Sequence, residues 1–217
     1  VINFALAVPD ASLLPMAKIN KSVMHVLRNS KDACIGYEHT QGNVELRKQI
    51  AKLSFNWGGK VKPDEVIVTS GCLEAITLCL KAVTKPGDTV AVESPNYFGV
   101  FQAIETMGLK VVEISSCFVS GLELDCLEDA IKKFKISACV VIPNFNNPLG
   151  GCMPDEKKRQ LVELISKHNI PLIEDDIYGE LYFGKNRPKT CKYFDTKGLV
   201  MHCSSLSKSL TPGYRIG

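Results

Sequence analysis

The segment SLSKSLTPGYRIG, residues 205–217, sets one lysine, Lys208, among small hydroxyl side chains. A Pro-Gly turn follows, and Arg215 comes seven positions after the lysine. A lysine amine is a nucleophile only when deprotonated, and desolvation or a neighbouring cation is what shifts it that way. An arginine beside the hydroxyls of Ser205 and Ser207 suits a phosphate better than a carbonyl alone. The combination points to a cofactor that is both aldehyde and phosphate, pyridoxal 5′-phosphate, held as a Schiff base on Lys208.

Three other segments carry groups suited to the same ligand. In Thr69-Ser70-Gly71-Cys72 a strand-like run turns into a helix, and free amides at a helix N-terminus bind phosphate. The plain alternative is an N-cap with a close-packed glycine. In Asn146-Asn147-Pro148-Leu149-Gly150 an amide could be held towards a ligand oxygen, though Asn-Pro with glycine is also ordinary turn chemistry. In Glu174-Asp175-Asp176-Ile177-Tyr178 one carboxylate could keep a pyridine nitrogen protonated while a phenol donates to the ring hydroxyl. The alternative there is a solvated acidic loop, and the pattern alone leaves open which acid acts.

These segments need a scaffold that brings them together. From about residue 65 onward, short apolar runs (66–71, 89–95, 110–116, 138–144, 171–176 and 198–207) alternate with helical patterns such as CLEAITLCLKAV and DEKKRQLVELISKH. That is the rhythm of a three-layer αβα fold with a mostly parallel sheet, which binds ligands at the carboxyl ends of its strands. Ser70, Asn147, Asp175 and Lys208 are expected at or just past such ends. The first sixty residues, with a helix expected around 15–29, read as an arm and a partial small domain; residues 61–217 read as the large domain.

The 217 residues suffice for a sizeable core. A net charge of +3 and the lack of a basic stripe argue against direct nucleic-acid binding. No apolar run is long enough for a membrane span, and the start lacks the features of a signal peptide. Nine scattered cysteines, with no C-x-x-C pair, read as reduced thiols in a cytoplasmic protein. The four histidines show no metal-ligand spacing.

The segments GYEHTQGNVELRKQIA, VIVTSGCLEAITLCLKAVTKPGDTVAVESPNYFGV, VIPNFNNPLGGCMPDEKKRQLVELISKH, IPLIEDDIYGELYFG and SSLSKSLTPGYRIG together resemble the large domain of fold-type I pyridoxal-phosphate enzymes, the aspartate aminotransferase superfamily. More narrowly, they resemble the aminotransferase-like domain of MocR-type regulators of the GntR family. The resemblance implies that Lys208 binds the cofactor covalently and that Asp175 pairs with the pyridinium nitrogen. Tyr178 and Asn147 would then bond the ring hydroxyl. Gly71 and Cys72 would offer amides to the phosphate beside Ser70, joined by Ser205, Ser207 and Arg215. Tyr97 would stack on the ring, and Tyr37 would reach the phosphate of a neighbouring subunit in a homodimer.

Two expectations follow from departures. The segment Phe4-Ala5-Leu6-Ala7-Val8-Pro9-Asp10 lacks the glycine that family members often carry where the substrate carboxylate approaches, which leans towards a regulator. The family's next strand and C-terminal small domain would follow residue 217, so these residues are expected to be a fragment unable to transaminate alone. The functions implied are the effector-sensing part of a transcriptional regulator, binding an amino acid or other amine and contacting DNA only through a separate winged helix-turn-helix, or a free-standing aminotransferase acting on an α-amino acid and a 2-oxo acid.

Overall fold

The computed structural model describes residues 7–30 and 35–217. Seven helices run through them: α1 (Met16–Asn29), α2 (Val44–Leu53), α3 (Cys72–Val83), α4 (Phe98–Thr106), α5 (Leu124–Lys133), α6 (Asp155–His168) and α7 (Cys191–Phe194). Six strands form one sheet: β1 (Thr89–Ser94), β2 (Lys110–Cys117), β3 (Gly121–Leu122), β4 (Ile136–Val141), β5 (Leu172–Asp175) and β6 (Val200–Cys203), in the order β3-β2-β1-β4-β5-β6. All neighbours are parallel except β3, which runs antiparallel to β2. The strand order reverses direction between β1 and β4, and such a switch point opens a crevice at the carboxyl ends of the strands.

The apolar runs dictate this arrangement. Val90, Ala91 and Val92 of β1 and Ala138 to Val141 of β4 are fully buried, as strands covered on both faces must be. Helices α3 and α4 cover one face through Ile76, Leu80, Val100 and Ile104. The other face packs on Leu127 of α5, Leu161, Val162 and Ile165 of α6, and Cys191 of α7. Helix α6 also shows its ends in sequence: Asp155 and Glu156 open it, Lys167 and His168 close it, and Asn169 stops it in the left-handed region at φ 54°. No helix among the described residues is long and apolar enough to cross a membrane.

One expected strand is absent. Residues 66–71 lie outside the sheet: Val68 N–H donates to the Gln41 carbonyl at 2.9 Å, and Thr69 exchanges two backbone bonds with Gly217, at 2.8 and 2.9 Å. That reciprocal pair has the antiparallel pattern, but one paired residue does not make a ladder. Strand β3 and helix α7 were not expected, since two and four residues are too short to show a period.

Glu93 interrupts the apolar run of β1 and is 1% exposed. Burial pushes its carboxyl up to about 8, against the hydrogen bonds it accepts from Ile142 N–H and Ser116 Oγ. A carboxyl raised in the folded state supplies stability that is complete below its unfolded value of 4.5 and is lost as pH rises towards 8. Glu93→Gln should therefore remove a decline of about 2–3 kcal/mol between pH 5 and pH 7. Denaturant midpoints of both proteins at those two pH values check this; equal slopes would refute it.

Candidate active site

Four loops leave the carboxyl ends of β1, β4, β5 and β6 and meet beside the N-terminus of α3. Asp175 is the last residue of β5 and is 4% exposed. Its Oδ1 accepts from the Cys72 thiol at 3.3 Å and from Ile177 N–H at 3.1 Å. Burial pushes its carboxyl up to about 6, and the neighbouring charge of Asp176 adds to the rise. Among the described residues no cation forms an ion pair with it.

The structure distinguishes the three adjacent acids, which the sequence pattern left open. Glu174 points to the far side of the sheet, where it accepts from Cys191 N–H at 2.6 Å and Lys192 N–H at 3.0 Å and so caps α7. Asp176 is 1% exposed and its charge is matched: Arg187 Nη2 lies at 2.5 Å, His202 Nε2 at 3.1 Å and Asn144 Nδ2 at 2.8 Å. Asn144 Oδ1 in turn accepts from Lys158 Nζ at 2.6 Å, and Lys158 is fully buried. Neither Glu174 nor Asp175 forms an ion pair among the described residues, but Asp175 alone stands beside Cys72 at the start of α3. This network behind it was not anticipated. The sequence motifs include neither Lys158 nor Arg187, and His202 figures there only as one of four histidines without metal-ligand spacing.

Tyr178 follows Asp175 by three residues. Its hydroxyl accepts from Asn147 Nδ2 at 3.4 Å, so the phenol and the amide meet. Burial, followed by the charge of Asp175, raises the phenol above its ordinary value. Asn147 is aimed by a strained loop in which Phe145 holds φ 55°. Tyr97 directly precedes α4, and its ring lies over Gly99, where an added Cβ would come within 2.4 Å of it.

Lys208 lies five residues past β6, half-buried, with Nζ 5.7 Å from the centroid of the Tyr178 ring. It donates to the Ala7 carbonyl. Burial lowers the ammonium below the usual lysine range, and the Arg215 guanidinium lowers it further, against the pull of Asp175. Arg215 reaches back from a left-handed residue at φ 52°, and its Nη2 donates to the Ser70 carbonyl at 3.3 Å. Gly71, at φ 98°, is the N-cap of α3, and no side chain caps that helix. An added Cβ at Gly71 would stand 2.4 Å from Arg215 Nη2, so glycine is what lets the guanidinium reach the helix end. Ser205 and Ser207 are buried side by side, Oγ to Oγ 2.8 Å, and Ser205 Oγ donates to the Ile216 carbonyl at 2.8 Å, which holds the loop closed.

Not every candidate joins this cluster. Ser70 points outward, with its N–H on Glu74 Oε2 at 2.5 Å. Tyr37 stands fully exposed. Phe4 to Leu6 of the glycine-free segment lie outside the described residues. Among the described residues no group of metal-ligating side chains gathers, and a hollow of about 640 Å³ lies apart from the cluster, between α3 and α4.

The arrangement fits a phosphorylated pyridine aldehyde. It offers an uncapped helix N-terminus with a guanidinium beside it, a buried carboxylate without a cation, a phenol–amide pair between them, and an amine shifted towards neutrality.

Residues 2–217 match the family described as aminotransferase class I and II. The chain is 42% identical over its whole length to the uncharacterized HTH-type transcriptional regulator YdcR of Escherichia coli (strain K12), covering 46% of that protein. It is 31% identical over its whole length to the 2-aminoadipate transaminase of Thermus thermophilus, covering 54% of it. Among solved structures, LysN of Thermus thermophilus, an α-aminoadipate aminotransferase complexed with N-(5′-phosphopyridoxyl)-L-leucine, superposes with a TM-score of 0.90 at 30% identity over 98% of this chain and 54% of that one. The kynurenine aminotransferase of Pyrococcus horikoshii gives 0.93 at 30% identity over 100% and 55%. The chain spans about half the length of the curated relatives it matches.

Proposed function

This chain belongs to the aminotransferase class I and II family, and from that premise we propose that it is the pyridoxal-phosphate-binding, effector-sensing portion of a GntR/MocR-type transcriptional regulator. The observation that carries the cofactor assignment is the convergence of Lys208, Asp175, Tyr178, Asn147 and Arg215 at the N-terminus of α3. The regulator reading is supported by the similarity over the full chain to YdcR and, at 40% identity, to a second HTH-type regulator, YjiR of Escherichia coli (strain K12). In this reading DNA contact belongs to a winged helix-turn-helix outside these residues, and the complete protein works as a cytoplasmic homodimer.

Each side chain then has a task. Gly71 and Cys72 present amides to the phosphate, and Arg215 neutralises it. The carboxylate of Asp175 holds the proton on the ring nitrogen, while Tyr178 and Asn147 fix the ring hydroxyl. Tyr97 covers a ring face. Lys208 Nζ would hold the cofactor at its aldehyde, the position for which the amine of an amino-acid effector would compete. When bound, the cofactor supplies an electron sink for charge developing at the α-carbon of an amine.

A second reading, a free-standing aminotransferase, is favoured by the similarity to 2-aminoadipate transaminase. There Lys208 Nζ would also move a proton between the α-carbon of an α-amino acid and the cofactor, with a 2-oxo acid as the second substrate.

The test uses the full-length protein with added pyridoxal phosphate. Borohydride should fix the phosphopyridoxyl group to the peptide containing Lys208, and Lys208→Ala should abolish both the label and the visible absorbance. A label on any other lysine refutes the assignment. Release of a specific DNA by an amine, without turnover to a 2-oxo acid, distinguishes the regulator from the enzyme.

A further inference from the structure

Three thiols, those of Cys72, Cys79 and Cys203, gather between α3 and the end of β6. Cys79 Sγ lies 3.7 Å from Cys203 Sγ, joining the third turn of α3 to the last residue of β6. Cys72, seven residues before Cys79 on α3, donates instead to Asp175. Among the described cysteines these form the one close thiol–thiol pair; Cys117, Cys126, Cys139, Cys152 and Cys191 have no thiol neighbour.

The pair is also asymmetric. Cys203 is 3% exposed, whereas Cys79 is half-buried at the edge of the α3 packing face. The hydrogen bond from Cys203 lowers the Cys79 thiol below its ordinary value, while the same bond and burial raise Cys203. A partly exposed thiol whose thiolate is stabilised, with a resolving thiol in contact, is the arrangement that reacts with peroxides. Cys72 is held protonated by burial and by Asp175, so it does not compete.

We propose that Cys79 and Cys203 form a peroxide-responsive modification site that closes reversibly to a disulfide linking α3 to β6. The Cys79 thiolate attacks one oxygen of hydrogen peroxide, the O–O bond breaks, and hydroxide leaves and takes a proton to become water. The sulfenic acid on Cys79 is then attacked by the Cys203 sulfur, which forms the S–S bond and releases a second water. The two thiols lose two electrons and two hydrogens, and the peroxide is reduced to two waters; a dithiol reductant reverses the change. The bond joins the helix that starts at Gly71 to the strand whose last residue pairs with Asp175 and leads to Lys208. The chemistry does not depend on the cofactor assignment.

Full-length protein, with and without added pyridoxal phosphate, is freed of reductant and exposed briefly to a small excess of hydrogen peroxide. It is then denatured in N-ethylmaleimide and digested without reduction. The expected result is joint loss of the free Cys79 and Cys203 thiols and gain of the linked pair, reversed by dithiothreitol, with exposed Cys126 serving as the reference. In Cys79→Ser, and independently in Cys203→Ala, the link should vanish and the remaining thiol should stay alkylatable. Oxidation of Cys126 while Cys79 and Cys203 both remain free overturns the proposal. So does a link that joins other cysteines, or one that forms only after denaturation.

Discussion

Asp175→Asn, made in the full-length protein, is expected to weaken pyridoxal-phosphate binding by about 10²- to 10³-fold, the loss that follows when one partner of a buried ion pair is removed. The same substitution should leave the cofactor-free protein as stable or more so. Asp175 is buried without a cation, and its carboxyl is pushed up to about 6 from an ordinary 3.8. Its contribution to stability is complete below pH 3.8 and declines as pH rises through 6. At pH 7 the ionised carboxylate costs about 3 kcal/mol in the cofactor-free protein. Asparagine keeps the acceptor for Ile177 N–H and Cys72 but carries no charge to desolvate. Cofactor titration and urea unfolding at pH 5 and pH 7 check both halves. If affinity is retained, or if stability falls equally at both pH values, the role given to Asp175 is wrong.

Asp176→Ala is expected to have the opposite signature, a loss of about 3–5 kcal/mol in folding stability, because it leaves a buried guanidinium without its counter-charge. The side chain of Arg187 is 3% exposed and that of Asp176 is not exposed at all. The substitution also removes the partner of His202 Nε2 and one of the two acceptors of Asn144 Nδ2, which keeps the Lys189 carbonyl at 3.2 Å. Glu180 stays on Arg187 Nε at 2.7 Å, but it is about half-exposed and only partly compensates. Denaturant unfolding at pH 7 measures the loss, and a change below about 1 kcal/mol would remove the network from any account of the fold. Two neighbouring aspartates are thus predicted to separate binding from folding.

Much of the scaffold was readable in the sequence. The helices at 16–29, 72–83 and 155–168 follow from apolar spacing and terminal residues, and five of the six strands from apolar runs too short for helices. Residues 66–71 misled for a physical reason. Val66, Ile67 and Val68 have strand composition, but a strand is a property of its partner, and the backbone bonds of this stretch reach Pro63, Gln41 and, from Thr69, Gly217 rather than a strand of the sheet. The 72–83 helix illustrates the same division at the site. Its start at Gly71 is legible, while the guanidinium that occupies the space of a missing Cβ comes from 144 residues later and is not.

The sequence by itself determined which residue types stand at the ends of the strands, because a lysine among hydroxyls, a strand-end acid with a phenol three residues on, and an Asn-Pro turn are local patterns. The local pattern left the three acids open and the resemblance named Asp175; the tertiary structure gives each acid a different environment. Glu174, Asp175 and Asp176 are adjacent and chemically alike, and what separates them is contact across the sheet: α7 amides for the first, Arg187 and His202 for the third, and a thiol but no cation for the second. Electrostatic environment depends on distances between segments remote in the chain, and periodicity and composition carry no record of those distances.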